Sequence, residues 1–278
     1  MKIIGIETSS IQGGVAVLEI KRCAGNKSNY NRLTSPARPG DWSGGNESII
    51  LLKQLLLKKG LVHGKLLIPA LERLLKRVHW GHDDIDLVAV DIGPGSYTGL
   101  RIGLAIAKTI AYIIKSKIAG VSSLDIMVAN IPRENNYEYI CPVIDARWNQ
   151  VYTSIYKKDE TNNILKYKRI SDYLAITPSD LIKLLKRYTN KADDPQGHPV
   201  GDKLLLFGDG LKPYNELFSK SGKRIILGTE AQWFPKACNV ALLGYESFKQ
   251  RRYDDPIKLI PLYLRHTEAE INLKGNIR

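Results

Sequence analysis

The most informative stretch of this chain is Asp91-Ile92-Gly93-Pro94-Gly95-Ser96-Tyr97-Thr98-Gly99-Leu100-Arg101-Ile102-Gly103. It follows the apolar run Leu87–Val90, which is typical of a buried strand. Its first two glycines permit backbone angles that other residues resist, and the proline between them fixes a turn. A serine or threonine after the turn is able to cap the helix that follows. The motif turn, a strand exit that leads into a long helix, comprises Gly93, Pro94, Gly95, Ser96, Thr98 and Arg101.

The same string resembles a motif of the TsaB (YeaZ-like) family, in which GPGS-[FY]-TGLR-x-G opens the second helix of the N-terminal domain. Weaker matches follow in the family's order at Ile3–Ser10, Gly120–Leu124, Val143–Tyr152 and Pro261–Arg265. The resemblance implies the non-catalytic dimerization subunit of the bacterial complex that makes threonylcarbamoyladenosine on tRNA.

The order of elements predicts an α/β protein of two βββαβαβα halves. This duplicated order is typical of the actin-like, sugar-kinase-like (ASKHA) fold, which the resemblance also implies. We expect one domain over residues 1–123, which carries the partner-binding helices, and a second over 124–278, with a C-terminal segment that packs back on the first. In the first half the pattern predicts a third strand near 28–34, a flexible loop from 36 and an additional leucine-rich helix over 46–59.

Composition indicates an ordinary globular protein with an unusual charge. The chain has 278 residues, of which 44% are hydrophobic, and a net charge of +13. The apolar stretch Ile102–Ile114 is too short to span a bilayer, and the N-terminus lacks a signal-peptide pattern. The three cysteines lie far apart, as expected of free thiols in a reducing compartment. We therefore expect a cytoplasmic protein without a membrane partner.

Much of the positive charge lies between residues 21 and 78, a segment that contains twelve lysines and arginines and only three acidic residues. Such a segment favours encounter with nucleic acid or with an acidic protein surface. A solvated basic face explains it equally well, and whether it touches tRNA stays open.

Two helices of the first half carry the predicted partner surface. The first has an apolar stripe at helical spacing, and the second has a ridge of small residues that repeats every four positions. Periodicity alone favours internal packing of both faces. The resemblance implies instead that these helices form the surface that pairs with the catalytic subunit or with a second copy. The predicted partner-binding residues are Leu67, Ala70, Leu71, Leu74, Val78, Gly99, Ile102, Gly103, Ile106, Ala107 and Ile110.

Catalytic chemistry finds little support in the residues. Glu7-Thr8-Ser9-Ser10 resembles an acidic turn for magnesium, but the following Gly13-Gly14 brings neither a lysine nor an aspartate placed to hold metal. The related catalytic subunit holds its metal through a helical HxxxH motif, whereas here His63 is followed by Leu67. Asp145 with Arg147 reads as an ion pair at a strand end. We therefore expect no cofactor, no metal and no activity of the chain alone.

The preferred hypothesis is a scaffold subunit for a TsaD-type threonylcarbamoyl transferase. The resemblance also implies a TsaE-type ATPase subunit that binds the assembled pair, a possible homodimer, and contact with tRNA through the complex. Two alternatives remain: an independent enzyme, either a nucleotide-dependent kinase-like protein or a metallopeptidase, and a stand-alone tRNA-binding protein.

Overall fold

The computed structural model describes residues 1–22, 47–57, 63–132, 134–159, 166–189 and 203–265. The first half is built on a five-stranded sheet with the order β3-β2-β1-β4-β5. β1, β2 and β3 pair antiparallel, and β4 and β5 continue the sheet parallel to β1. Its strands are β1 (Lys2–Glu7), β2 (Gly14–Arg22), β3 (Glu47–Leu56), β4 (Leu87–Gly93) and β5 (Lys117–Ser122).

Both faces of this sheet are covered, which explains why its central strands are almost continuously apolar. Successive side chains of a strand point to opposite faces. Accordingly, Ile4 and Ile6 pack with two helices, α1 (His63–Arg77) and α2 (Tyr97–Ile113). Ile3 packs instead with a helix from the end of the chain, α6 (Ala237–Lys249). The short helix α3 (Ser123–Val128) then leads out of β5 toward the second sheet.

The second half repeats the first topology in a seven-stranded sheet. Its path β10-β7-β6-β11-β12 matches the first sheet strand for strand, with two antiparallel and two parallel pairings in the same places. A further strand pair, β8 with β9, joins β6. The duplicated α/β order predicted from sequence is thereby confirmed. The elements are β6 (Tyr139–Asp145), β7 (Val151–Thr153), β8 (Tyr156–Lys158), β9 (Tyr167–Arg169), β10 (Leu174–Ile176), α4 (Pro178–Thr189), β11 (Leu204–Phe207), α5 (Asn215–Ser219) and β12 (Ile225–Leu227).

The predicted leucine-rich helix at 46–59 is wrong. The structure places Glu47–Leu56 in β3, which pairs along its whole length with β2, from Gly14↔Leu56 to Arg22↔Glu47. Pairing with a distant strand therefore overrides the helical preference of leucine. β3 is itself the third strand of the first half. The strand predicted near 28–34 and the loop predicted from 36 lie outside the described residues.

The end of the described chain returns to the first sheet. Asp254 N donates a hydrogen bond of 2.8 Å to Ile118 O at the edge strand β5, and Leu262 N donates one of 2.7 Å to Ile92 O. Between them, Lys108 Nζ of α2 donates to the carbonyl oxygens of Ile257 and Leu259 at 3.0 and 2.9 Å. Together with α6, this C-terminal strap (residues 254–263) crosses from the second half onto the first. Across the ranges given above, no helix has the length and apolar character that a membrane span requires.

Candidate partner-binding surface and the turn beneath it

The motif turn fastens the start of α2 to the turn after β1. Gly93 has a φ of +104°, a backbone conformation that favours glycine. A Cβ on Gly95 would lie 2.7 Å from Ser9 O, and Ser96 N donates a hydrogen bond of 2.8 Å to that same oxygen. Ser96, rather than Thr98, is the N-cap, because its Oγ accepts from Gly99 N at 3.3 Å. The glycines are thus needed for a close approach of two backbone turns.

The ridge of small residues on α2 packs inside the chain. A Cβ on Gly99 would lie 2.0 Å from Thr8 O, and one on Gly103 would lie 2.1 Å from Thr8 Oγ1. Thr8 is the residue that directly follows β1. The ridge therefore lets α2 lie against the end of the central strand.

Burial corrects the sequence expectation for six predicted partner-binding residues. Each of them is buried within this chain, either in the core between the helices and the sheet or against Thr8. They hold α1 and α2 in place and offer no surface to another molecule in this conformation. These residues are Leu67, Leu71, Leu74, Gly99, Gly103 and Ala107.

The other five predicted residues are partly exposed, and exposed apolar neighbours extend them. On α2 the partly and fully exposed positions recur at i, i+3, i+4, i+7, i+8 and i+11, which defines a continuous face. On α1, Ala70 and Val78 are partly exposed, and Leu66 and Ile68 project further into solvent. We call the following set the outward face, in which Ile68 follows Gly64, the α1 residue that approaches Ile102: Ile68, Ile102, Ala105, Ile106, Thr109, Ile110 and Ile113.

An aromatic and cationic group borders the outward face at the start of α2. The Arg101 guanidinium lies 4.0 Å from the centroid of the Tyr97 ring, and its Nε donates a hydrogen bond of 3.0 Å to Tyr263 Oη. The rings of Tyr97 and Tyr263 are 5.4 Å apart. Arg101 thus joins the motif turn to the C-terminal strap.

Two carboxyl groups lie buried under the motif turn. Glu7 ends β1 and Asp91 lies in the neighbouring parallel strand β4, and their exposed fractions are 1% and 0%. Burial, with the Asp91 charge as a second cause, raises the pKa of Glu7 to about 8. Burial also raises the pKa of Asp91 to about 6. Sequence reasoning singled out Glu7 but missed Asp91 as its partner, although parallel pairing of the two strands would have indicated it.

Hydrogen bonds from the two turns hold this pair. Glu7 Oε1 accepts from Ser9 Oγ at 2.8 Å and from Ser10 N at 3.0 Å. Asp91 Oδ1 accepts from Gly93 N at 2.8 Å and from Ser123 Oγ at 2.6 Å. Both carboxyl groups are shielded from solvent and are held by the turns around them, which fits a structural role. Among the described residues there is no group of three or more histidine, cysteine, aspartate or glutamate side chains suited to hold a metal ion.

The equivalent end of the second sheet carries a more open polar group. Asp145 Oδ2 pairs with Arg147 Nη1 at 3.2 Å, as expected from sequence. Asp145 N lies 3.3 Å from Asp209 Oδ1, and burial raises the pKa of Asp209 to about 6.

The two sheets of equal topology define an actin-like, sugar-kinase-like protein. The YeaZ structure from Pseudomonas aeruginosa has this fold, with a TM-score of 0.65, 18% identity, and coverage of 95% of this chain and 99% of that one. A family model described as TsaD, tRNA N6-adenosine threonylcarbamoyltransferase, matches residues 61–273.

Proteins of similar sequence identify the family within this fold class. The tRNA threonylcarbamoyladenosine biosynthesis protein TsaB of Bacillus subtilis (strain 168) is 33% identical over 215 residues, which are 77% of this chain and 83% of that protein. The TsaB of Haemophilus influenzae is 23% identical over 217 residues, covering 77% and 84%. This chain belongs to the TsaB family.

Proposed function

We propose that this chain is a non-catalytic subunit in the synthesis of threonylcarbamoyladenosine on tRNA. In this role it pairs with a TsaD-type transferase through the outward face and keeps that enzyme in its active assembly. The proposal draws on the relatives named as threonylcarbamoyladenosine biosynthesis proteins and on the family model named for the transferase. We also propose that the chain acts in the cytoplasm.

The observation that carries the proposal is the outward face itself. It exposes the side chains of Ile68 and Ile113 and, in part, those of Ile102, Ile106 and Ile110. Adjacent exposed aliphatic side chains are unfavourable in water and are typical of an interaction surface. The face stands on a rigid base, since the ridge beneath it is locked against Thr8. A partner therefore meets a preformed surface.

Charge at the edge of the face indicates what the partner carries. α1 exposes four basic side chains, Lys65, Arg73, Lys76 and Arg77, against the single acidic Glu72. Opposite charges across an interface speed encounter and fix its register. We therefore expect acidic residues on the transferase around the apolar contact.

The buried acid pair supports the non-catalytic part of the proposal. Glu7 and Asp91 occupy the strand ends where a kinase-like enzyme would hold metal or phosphate, and here both are shut off from solvent. If the chain itself does no nucleotide chemistry, another subunit must supply it, and we propose an ATPase of TsaE type for that role. A homodimer through the same face would form when the transferase is absent.

Reconstitution tests the proposal. The chain is mixed with the TsaD-type homologue of its own organism, the mass is measured by light scattering, and tRNA threonylcarbamoylation is assayed with the remaining pathway proteins present. We expect a heteromeric mass and modification that requires both proteins. A transferase that is fully active without this chain, or a mixture that shows only the separate masses, would refute the proposal.

A further inference from the structure

The turn between β6 and β7 has an unusual backbone. Arg147, Trp148 and Asn149 have φ values of 60°, 53° and 56°, so three consecutive residues other than glycine are left-handed. Such residues are disfavoured by contact of Cβ with the backbone, and runs of them are rare. Strained backbone that persists in a well-ordered region is a feature of functional sites.

The neighbouring residues hold this turn rigidly. Arg147 N donates a hydrogen bond of 2.9 Å to Asp145 Oδ1, and the Arg147 guanidinium pairs with the other oxygen of the same carboxylate. Ala146 N donates to Gln150 O at 3.1 Å, which closes the turn. Arg265 Nη1 donates to Ala146 O at 3.4 Å from the C-terminal end of the described chain. The turn is therefore preorganised before any ligand arrives.

The turn exposes three side chains whose chemical groups suit one kind of ligand. The Trp148 residue is 71% exposed and the Arg147 side chain is 82% exposed, with the exposed amide of Asn149 beside them. An indole on a tight turn contributes nothing to the core, and its exposure is unfavourable. An aromatic ring, a guanidinium and a carboxamide together are the groups that bind an unpaired nucleobase, by stacking and by hydrogen bonds to its edge.

We propose that the Arg147–Asn149 turn binds an unpaired nucleotide of RNA, with the base stacked on Trp148 and Arg147 beside its phosphate. The net charge of +13 favours an anionic occupant over a neutral peptide. The exposed ring of Trp148 favours RNA over an acidic peptide, because only RNA offers a base to stack on it. The identification of that RNA as the tRNA substrate rests on the proposed function. The stacking contact belongs to this chain alone and does not require the transferase.

Titration of the full chain with a fluorescently labelled single-stranded RNA heptamer at low salt tests the contact. We expect Trp148→Ala to weaken binding about tenfold, since stacking of one base on an aromatic side chain is worth that much or more. Trp148→Phe should keep most of the affinity because it keeps a ring. Arg147→Gln should lower the slope of log affinity against log salt by about one. Tyr253→Ala removes an exposed aromatic side chain elsewhere and serves as the matched control.

Two results would overturn the inference: RNA binding by Trp148→Ala equal to that of the wild type, or no binding of the heptamer to the wild-type chain. Loss of assembly with the TsaD-type homologue in Trp148→Ala, with RNA binding unchanged, would show instead that the turn contacts protein. Failure of the proposed function is seen separately, as absence of assembly by the wild-type chain.

Discussion

Glu7 and Asp91 make the stability of this protein depend on pH in a direction opposite to that of most carboxyl groups. Their pKa values are raised to about 8 and about 6 from ordinary values of 4.5 and 3.8. The folded protein therefore holds protons that the unfolded chain releases. The stability that these groups contribute is fully present below their ordinary pKa values and is lost as the pH rises through about 6 and then about 8.

Asp91→Asn tests this direction. The amide oxygen can keep the hydrogen bonds from Gly93 N and Ser123 Oγ, while the charge that raises the pKa of Glu7 is removed. We expect the free energy of unfolding of the variant to rise relative to that of the wild type, by ~1 kcal/mol or more, as the pH rises from 5 to 9. The Tm of the variant should rise relative to the wild type over the same range. Asp91→Ala, which removes the acceptor as well, should be less stable than the wild type at acid pH. Parallel Tm curves for Asp91→Asn and the wild type would contradict this account.

The glycine ridge of α2 makes a second prediction at the residue scale. Gly103→Ala places a Cβ against Thr8 Oγ1, a buried hydroxyl that has no hydrogen-bond partner among the described residues. We expect a loss of ~1–3 kcal/mol in the free energy of unfolding, as is usual for overpacking. Thr8→Ala in the same chain should recover much of it, because the obstructing hydroxyl is removed at little cost.

Gly99→Ala is the matched control for that rescue. Its Cβ would meet the backbone oxygen of Thr8, which Thr8→Ala leaves in place. Denaturant unfolding of the wild type, the three single variants and the two double variants separates the two cases as two double-mutant cycles. Equal rescue of Gly99→Ala and Gly103→Ala by Thr8→Ala would show that the ridge is not packed as described.

Among the elements, α2 has one face buried in the core, and its other face is the one we propose for a partner. Ala105 lies on the outward face and is exposed. Ala105→Arg should therefore leave the Tm within about 1 °C of the wild type, since exposed helix positions tolerate such changes. It should weaken pairing with the TsaD-type homologue at least tenfold in a titration, because an arginine disrupts close helix packing. Ile170→Arg, a change at an exposed isoleucine of the second half, should pair normally; pairing of Ala105→Arg at wild-type affinity would rule out the outward face.

The sequence predicted most elements because their signals are local. The strand, turn and helix around the motif turn follow from glycine, proline and a helical period, and Ser96 does cap α2. β3 could not be predicted in this way, since its strand state depends on pairing with β2. The packing of the small-residue ridge was not predictable for the same reason: periodicity shows that α2 has such a ridge but not that Thr8 packs against it.

At the scale of the whole molecule, the two halves are built alike but are not independent. α6 follows the last strand of the second sheet, yet it covers one face of the first, where Gly5 allows close approach to Ala237. The C-terminal strap then runs along β5 and α2. α6 supports the sheet from the side opposite to α1 and α2, and the strap contacts α2 directly, so the position of the outward face depends on both halves.

Pairing through the outward face can be measured by amide hydrogen exchange of the full chain, with and without the TsaD-type homologue. We expect slower exchange on pairing in α1 and α2, residues 63–77 and 97–113, with α4 at residues 178–189 unchanged. If pairing protects α4 or the second sheet and leaves exchange in α2 as it is in the free chain, the outward face is not the site of pairing.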